Sequence, residues 1–241
     1  MSEVKKSFSS VAKRSLLWLW RATYGWFLLS LFLVVFFAIV NPPGGLYMLS
    51  ESNRLDGLER EWVDLEDMGL DVPRSVVAAE DANFCLHHGI DFDALWEAID
   101  DGATRGASTL TQQVAKNLYL WHGRSYLRKG LEAGFALMID TVWTKRRILE
   151  VYLNIAEFDE GVFGAGAASQ SYFNKPVSDL SLTQAARLAA VLPDPKGRSA
   201  SQPSAFVKKR GRANASGAET IAADGRAACF EMVESAGFSW Q

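Results

Sequence analysis

The sequence predicts a mainly α-helical protein carried on one N-terminal transmembrane helix. Three observations predict it. Residues 16–40 form a 25-residue apolar stretch whose only formal charge is Arg21. Across residues 73–195, apolar side chains recur at three- and four-residue intervals, the spacing of a helix face. No convincing period-two run survives outside short fragments, which leaves little room for strands. With 49% hydrophobic and 22% charged residues in 241, a disordered, collagen-like or disulfide-framework chain is excluded.

The N-terminal segment is read first. Twenty-five helical residues span about 37 Å, against a hydrocarbon core of about 30 Å. Arg21 can snorkel to the headgroups, and Trp18, Trp20, Tyr24 and Trp26 suit an interfacial belt. Asn41-Pro42-Pro43-Gly44-Gly45 then breaks the helix. A cleaved signal peptide would have a shorter apolar region and an Ala-x-Ala site, which is missing here. A buried core helix would keep a polar face. Residues 1–40 hold five basic residues against Glu3, so this head carries +4 and the rest of the chain −7. The positive flank precedes the span, so residues 1–15 are expected in the cytoplasm as a basic tail and the acidic body on the other side. An acidic body also argues against nucleic-acid binding.

Residues 41–72 read as a connecting region, polar from residue 46, with one amphipathic stretch, Leu58 to Leu65. Helices follow after Pro73. One leads through Val76 and Val77 to Glu80-Asp81, and another carries Phe92, Leu95, Trp96 and Ile99. Gly102 to Gly106 is a break containing Arg105. Ser108 or Thr109 can then cap a helix through Leu110, Val114 and Leu118. A helix from about Ser125 to Thr144 is expected to turn Leu127, Leu131, Phe135, Met138 and Val142 to the core. The next runs from Lys145 to Ile155, and Asp159 to Gly166 reads as a loop. Ser181 to Gln184 forms a capping box for a helix through Leu188, ended by Pro193-Asp194-Pro195. The extension 196–241 is expected to pack poorly, with Lys208-Lys209-Arg210-Gly211-Arg212 as a solvated face. Cys85 and Cys229 permit a disulfide without implying one, and Cys85 is read as a small buried apolar residue.

Certain polar residues stand where a helical body favours apolar ones. Glu80 ends an apolar segment, where a carboxylate can hold its proton more tightly, as acid–base chemistry requires. A helix-end ion pair accounts for it equally well when it is taken alone. Glu132, among Leu131, Ala133 and Phe135, is just as ambiguous. The 52 residues between the two leave open whether they meet. A basic cluster gathers Lys116, Arg124, Arg128 and Lys129, with Gln112 and Lys116 four apart on one face. Stacked cations repel unless an anion sits between them, and a diphosphate would suit. A solvent-facing positive stripe is the plainer reading. Neither C-x-x-C nor H-E-x-x-H occurs, so no protein-built metal site is indicated.

From Glu80-Asp81 through Phe84, His87, His88 and Gly89 to Asp91, the chain resembles the glycosyltransferase family 51 peptidoglycan polymerases, especially their monofunctional membrane-anchored members. Matching blocks follow in order at Gly106 to Leu118, Arg128 to Glu132, Lys145 to Asn154 and Gly161 to Leu188. Five ordered blocks over residues 73–195 are a specific signal, unlike one short motif.

The resemblance implies a lysozyme-like α-helical glycosyltransferase domain with a small, hydrophobic, membrane-proximal lobe, anchored in the bacterial inner membrane with the catalytic domain in the periplasm. It implies polymerisation of lipid II onto a growing undecaprenyl-diphosphate-linked glycan, with cell-wall synthesis or division proteins as partners. Glu80 stands at the family's catalytic glutamate. Glu132 matches a second catalytic glutamate that positions the donor, where a divalent cation, Mg2+ or Mn2+, is admitted but not required. Lys116, Arg124, Arg128 and Lys129 are expected on the diphosphate, and Gln112, Ser108 and Thr109 along the cleft. Glu150 and Asn154 are expected to serve the scaffold and to shape the cleft.

Two departures stand out. Gly106-Ala107 replaces the usual Gly-Gly pair, and the segment from Asp91 to Gly106 is short by several residues. The 46 residues after Pro195 are too few for a transpeptidase domain, so cross-linking is expected from other enzymes. A hydrolase of the same architecture needs a catalytic acid but no cationic cluster, and an inactive scaffold needs neither. Both are therefore disfavoured.

Overall fold

The computed structural model describes residues 2–102, 108–123 and 125–231, with side chains from residue 13 onward. The chain divides into two units, 1–41 and 42–241. The first is one helix, α1 (Ser2–Phe37). Its stretch Lys13–Phe37 is long and apolar enough to cross a bilayer. Leu16, Trp18, Leu19 and Trp20 point outward, as lipid-facing side chains would.

The second unit opens with a helix where the sequence suggests a polar connection. This is α2 (Leu46–Leu55), which rests on α5 (Leu110–Tyr119). Gly45 makes that contact feasible, because a Cβ there would lie 1.7 Å from the carbonyl oxygen of Asn117. Short strands follow: β1 (Glu59–Arg60) pairs in parallel with β3 (Val162–Phe163), which pairs antiparallel with β2 (Glu157–Asp159). At two or three residues each they leave no period-two signature, so a strand and the start of a helix occupy what reads as a loop at Asp159 to Gly166.

Two groups of helices form the body. In one, α3 (Asp71–Glu80), α9 (Leu182–Val191) and α10 (Ala205–Ala223) pack mutually. In the other, α5 (Leu110–Tyr119) packs on α6 (Tyr126–Val142) and α7 (Lys145–Ile155). All seven residues from Ile148 to Ile155 except Glu150 are buried, so α7 is the central helix. The outer pieces are α4 (Phe92–Asp100), α8 (Ala165–Phe173) and the short α11 (Ala228–Glu231). The capping boxes at Thr109 and Ser181 both form.

Three expectations are corrected. The extension after residue 196 packs well, because Val207, Gly211, Asn214, Ala218 and Ile221 form a buried stripe at helical spacing. Its residues are mostly small, so it reads weakly as a core face, yet smallness is what admits the close approach to α3. A Cβ on Gly217 would lie 3.1 Å from that of Ala78. Cys85 is not an isolated apolar residue but is disulfide-bonded to Cys229. In α6 the buried stripe is Glu132, Phe135, Ala136 and Ile139, while Leu127 is 72% exposed and Val142 is exposed. This helix is apolar on both faces, so periodicity could not choose between them. Leu86, Phe92, Trp96, Ile99, Trp121 and Tyr126 are exposed too.

Candidate active site

The segment after α3 is clasped from three helices. The amide of Leu110, at the start of α5, donates to Asp81 Oδ2 at 2.9 Å. His87 Nε2 lies 2.9 Å from Asp81 Oδ1. Thr109 Oγ1 donates to the carbonyl of Gly89 at 2.6 Å. Gly89 has φ +74°, and a Cβ there would press on the Ala136 carbonyl of α6 at 2.8 Å, so both conformation and space require glycine. From α7, Lys145 Nζ donates to the His87 carbonyl at 2.7 Å and pairs with Asp140 at 2.6 Å. These contacts fix the chain just beyond Glu80.

Glu80 is the last residue of α3. Burial pushes its carboxyl above the usual range, opposed by a hydrogen bond from Gln113 and by the charges of Arg210 and Lys116. Gln113 Nε2 donates to Glu80 Oε2 at 2.9 Å, and its Oε1 accepts from the hydroxyl of fully buried Tyr152 at 3.1 Å. Arg210 belongs to the basic run of α10 that reads as a solvated face, and it carries its field to the carboxylate from outside the recognised blocks.

Lys116 joins the two glutamates electrostatically. Burial lowers its pKa, Glu132 and Glu80 oppose that shift, and Arg128 and Lys129 add to it. Glu132 is buried and has both oxygens engaged: Arg128 Nη1 on Oε2 and Lys129 Nζ on Oε1, each at 2.5 Å. Lys129 also donates to Ser108 Oγ at 2.8 Å. So Glu80, Lys116, Glu132, Arg128, Lys129 and Ser108 gather in one region, and Arg124 lies outside the described residues, as do Arg105, Gly106 and Ala107.

Gln112 sits differently from the expectation. It is buried, and its Oε1 accepts from the Thr109 amide at 3.0 Å within the capping box. The neighbouring Gln113 reaches Glu80 instead. Helical spacing marks Gln112 as sharing a face with Lys116, but Gln113, three before Lys116, shares that face as well. Thr109 closes the cap, and with Ser108 it borders a cavity of about 180 Å³ that also touches Glu80. Glu150 accepts from the Leu65 amide at 3.2 Å, and Asn154 brackets Val63 through its amide and carbonyl at 2.9 and 2.8 Å. Both therefore pin the segment 63–65 to α7.

A larger cavity, about 380 Å³, is bounded by Gln113, Lys116, Tyr152, His122, Tyr47 and Lys196. Tyr47 and His122 stack at 3.7 Å, and burial holds the His122 imidazole down at about 4, so it is neutral at physiological pH. Tyr47 donates to Glu157 at 2.6 Å, and Lys196 pairs with Glu51 at 2.8 Å.

The divalent cation admitted at the diphosphate finds a poor donor set here. Glu132 is already neutralised by two cations. Asp81, His87 and Asp91 do bring ligand-type atoms within 4.8 Å of one another. Their carboxylates are taken up by Leu110, His87, Asn83 and the cap of α4 at Ala94. The grouping acts as a hydrogen-bond hub.

A half-buried carboxylate with strengthened proton affinity, beside a partly desolvated cation cluster, can take a proton at one end of a cleft and hold an anion at the other. Residues 48–218 match the family model described as transglycosylase. A protein of Jannaschia sp. (strain CCS1) is 50% identical over 232 residues, covering 94% of this chain and 97% of its own. One from Rhodospirillum centenum is 46% identical over 208 residues, 84% of this chain and 90% of its own. A third, from Xanthomonas axonopodis pv. citri, is 45% identical over 210 residues, 83% and 85% respectively. All three bear the name biosynthetic peptidoglycan transglycosylase.

Proposed function

Since the chain belongs to the transglycosylase family and is a peptidoglycan glycosyltransferase, we propose that it polymerises lipid II, with Glu80 as general base. Glu80 takes the proton of the acceptor GlcNAc 4-hydroxyl as that oxygen attacks the anomeric carbon of the donor MurNAc. The bond from that carbon to the diphosphate breaks, and undecaprenyl diphosphate leaves with the electron pair. Attack opposite the leaving group inverts the α-linked donor to a β-1,4 link.

The observation that carries this reading is Lys116, one turn along α5 from the Gln113 that holds Glu80 and lining the same cavity, with Glu132 and Glu80 both opposing the burial that lowers its pKa. Cations meeting the departing charge stabilise the transition state more than the ground state. Lys116, Arg128 and Lys129 supply them. Glu132 holds the last two in place and so acts through them. No step is assigned to a metal.

The body is proposed to lie in the periplasm, with residues 1–15 in the cytoplasm. The +4 head supports that orientation, and so does the Cys85–Cys229 disulfide, which persists in oxidising compartments. The exposed Leu86, Phe92, Trp96 and Tyr126 are proposed to face the bilayer, where a lipid-held substrate must be met.

Labelled lipid II in detergent tests the reaction. Linear glycan without peptide cross-links is expected from the wild type and none from Glu80→Gln, with preformed glycan left intact by both. Polymer formed equally by Glu80→Gln would remove Glu80 as the base. Disaccharides released from finished peptidoglycan would indicate a hydrolase.

A further inference from the structure

The residues that follow the apolar helix build a third cavity, on α2 and the C-terminal end of α5. It measures about 450 Å³, inside the ~300–1,000 Å³ range of small-molecule sites. Its walls are apolar, with Pro43, Met48, Leu49, Leu58 and Leu118 among them. Leu46 and Leu49 expose more than half of their surface at its edge. Arg60 is the one charged residue lining it among the described residues.

Arg60 is held in an unusual way. Its two terminal nitrogens donate to the carbonyls of Pro43 and, at 2.8 Å, Pro42, and its guanidinium lies over Trp62. Its Nε is buried without a partner among the described residues. No carboxylate pairs with it there, although 28 acidic residues were available to the chain. Carbonyl dipoles orient this cation without neutralising it, which leaves it suited to one anionic oxygen group.

We infer that this cavity docks an anionic phospholipid, one acyl chain among Met48, Leu49, Leu58 and Leu118 and the phosphate at Arg60. Three observations select that occupant. The cavity is apolar with a single cation at its edge, matching one chain and one phosphate. Pro43 follows the end of α1 by six residues, which reach about 20 Å at most, so a membrane-anchored chain keeps the cavity close to headgroups. The polyprenyl diphosphate of the proposed reaction has its own cations, Lys116, Arg128 and Lys129, and needs none here. The site is independent of the chemistry assigned to Glu80, though Leu118 stands on the helix that carries Gln113 and Lys116.

The test uses the full-length protein in phosphatidylcholine nanodiscs doped with phosphatidylglycerol bearing a diazirine in its acyl chain. After irradiation, label is expected on peptides containing residues 46–58 and Leu118. Arg60→Gln should lower the yield about tenfold, the scale of one charge-assisted contact. Ser52→Phe fills the cavity from α2 and leaves Arg60 with its carbonyls, so it carries the test if Arg60→Gln melts early. Equal labelling of the wild type and Ser52→Phe would overturn the inference. So would equal labelling by phosphatidylcholine carrying the same diazirine chain, or loss of label to competing undecaprenyl phosphate.

Discussion

Gln113 donates its side-chain amide to the carboxylate of Glu80 at 2.9 Å, so the proposed base is held by α5 and not by its own helix. The amide is itself oriented by Tyr152. A donor aimed at a carboxylate favours its ionised form, and here it opposes the burial that raises the pKa. Gln113→Leu should therefore move the acidic limb of kcat/KM to higher pH. Tyr152→Phe should move it less, because Gln113 remains. A pH–rate profile of lipid II consumption reads both, and an unmoved limb in Gln113→Leu would detach Gln113 from the base.

Glu80→Gln should separate activity from stability. The loss of a general base costs about 10²–10⁴-fold in rate. For an acid whose folded pKa is raised, the folded state binds more protons than the unfolded one between the two pKa values. Stability is therefore full below the ordinary glutamate range and falls as pH rises through the raised value. At pH 7–8 the amide variant should melt no lower than the wild type, and higher if anything. Thermal melting at pH 4.5 and pH 8 checks this, and a lower melting point at pH 8 would contradict it.

Lys116→Met should keep the stem of the side chain and remove the charge. Burial already disfavours that charge, so the fold should tolerate the change. Loss of one contact to the departing diphosphate should cost about 10²–10³ in kcat, as for other removed transition-state donors. Unchanged kinetics with lipid II would separate Lys116 from the leaving group.

Glu132→Gln should act on the fold as well as on turnover. It leaves the largely buried Arg128 and the half-exposed Lys129 without their anion. Breaking a buried pair costs about 3–5 kcal/mol, and Lys129, 46% exposed, recovers some of that through solvent. A destabilisation of roughly 2–3 kcal/mol in urea is expected. Added undecaprenyl diphosphate should restore part of the melting temperature, since its charge replaces the missing carboxylate. No rescue would argue that the two cations do not face the diphosphate.

The sequence makes the chemistry more legible than its surroundings. Glu80, Lys116, Glu132, Arg128 and Lys129 draw notice as charges within apolar helical runs, but it is the resemblance of the blocks around them that singles them out. The capping boxes at Thr109 and Ser181 follow from local spacing alone. Gln113 is harder to separate from Gln112, since adjacent residues on a helix differ by about 100° and only the packing of Tyr152 decides. Arg210 escapes notice because its field acts through a helix–helix contact 130 residues away from Glu80. The stripe of α10 is faint because alanine and glycine carry little hydrophobic signal, however close the packing they permit. In α6, two apolar faces compete, and the ion-paired Glu132 takes a core position that a hydrophobic residue was expected to fill.

The Cys85–Cys229 bond joins positions 144 residues apart. One partner sits five residues after Glu80, and the other lies on α11, beyond all the helices of the body. Cys85 cannot be cross-linked until Cys229 has reached the same compartment. The loop beside the proposed base is thus locked only after the residues between the two cysteines have been made. A chain halted between Glu132 and Cys229 would carry both glutamates and their cations and still lack this fastening.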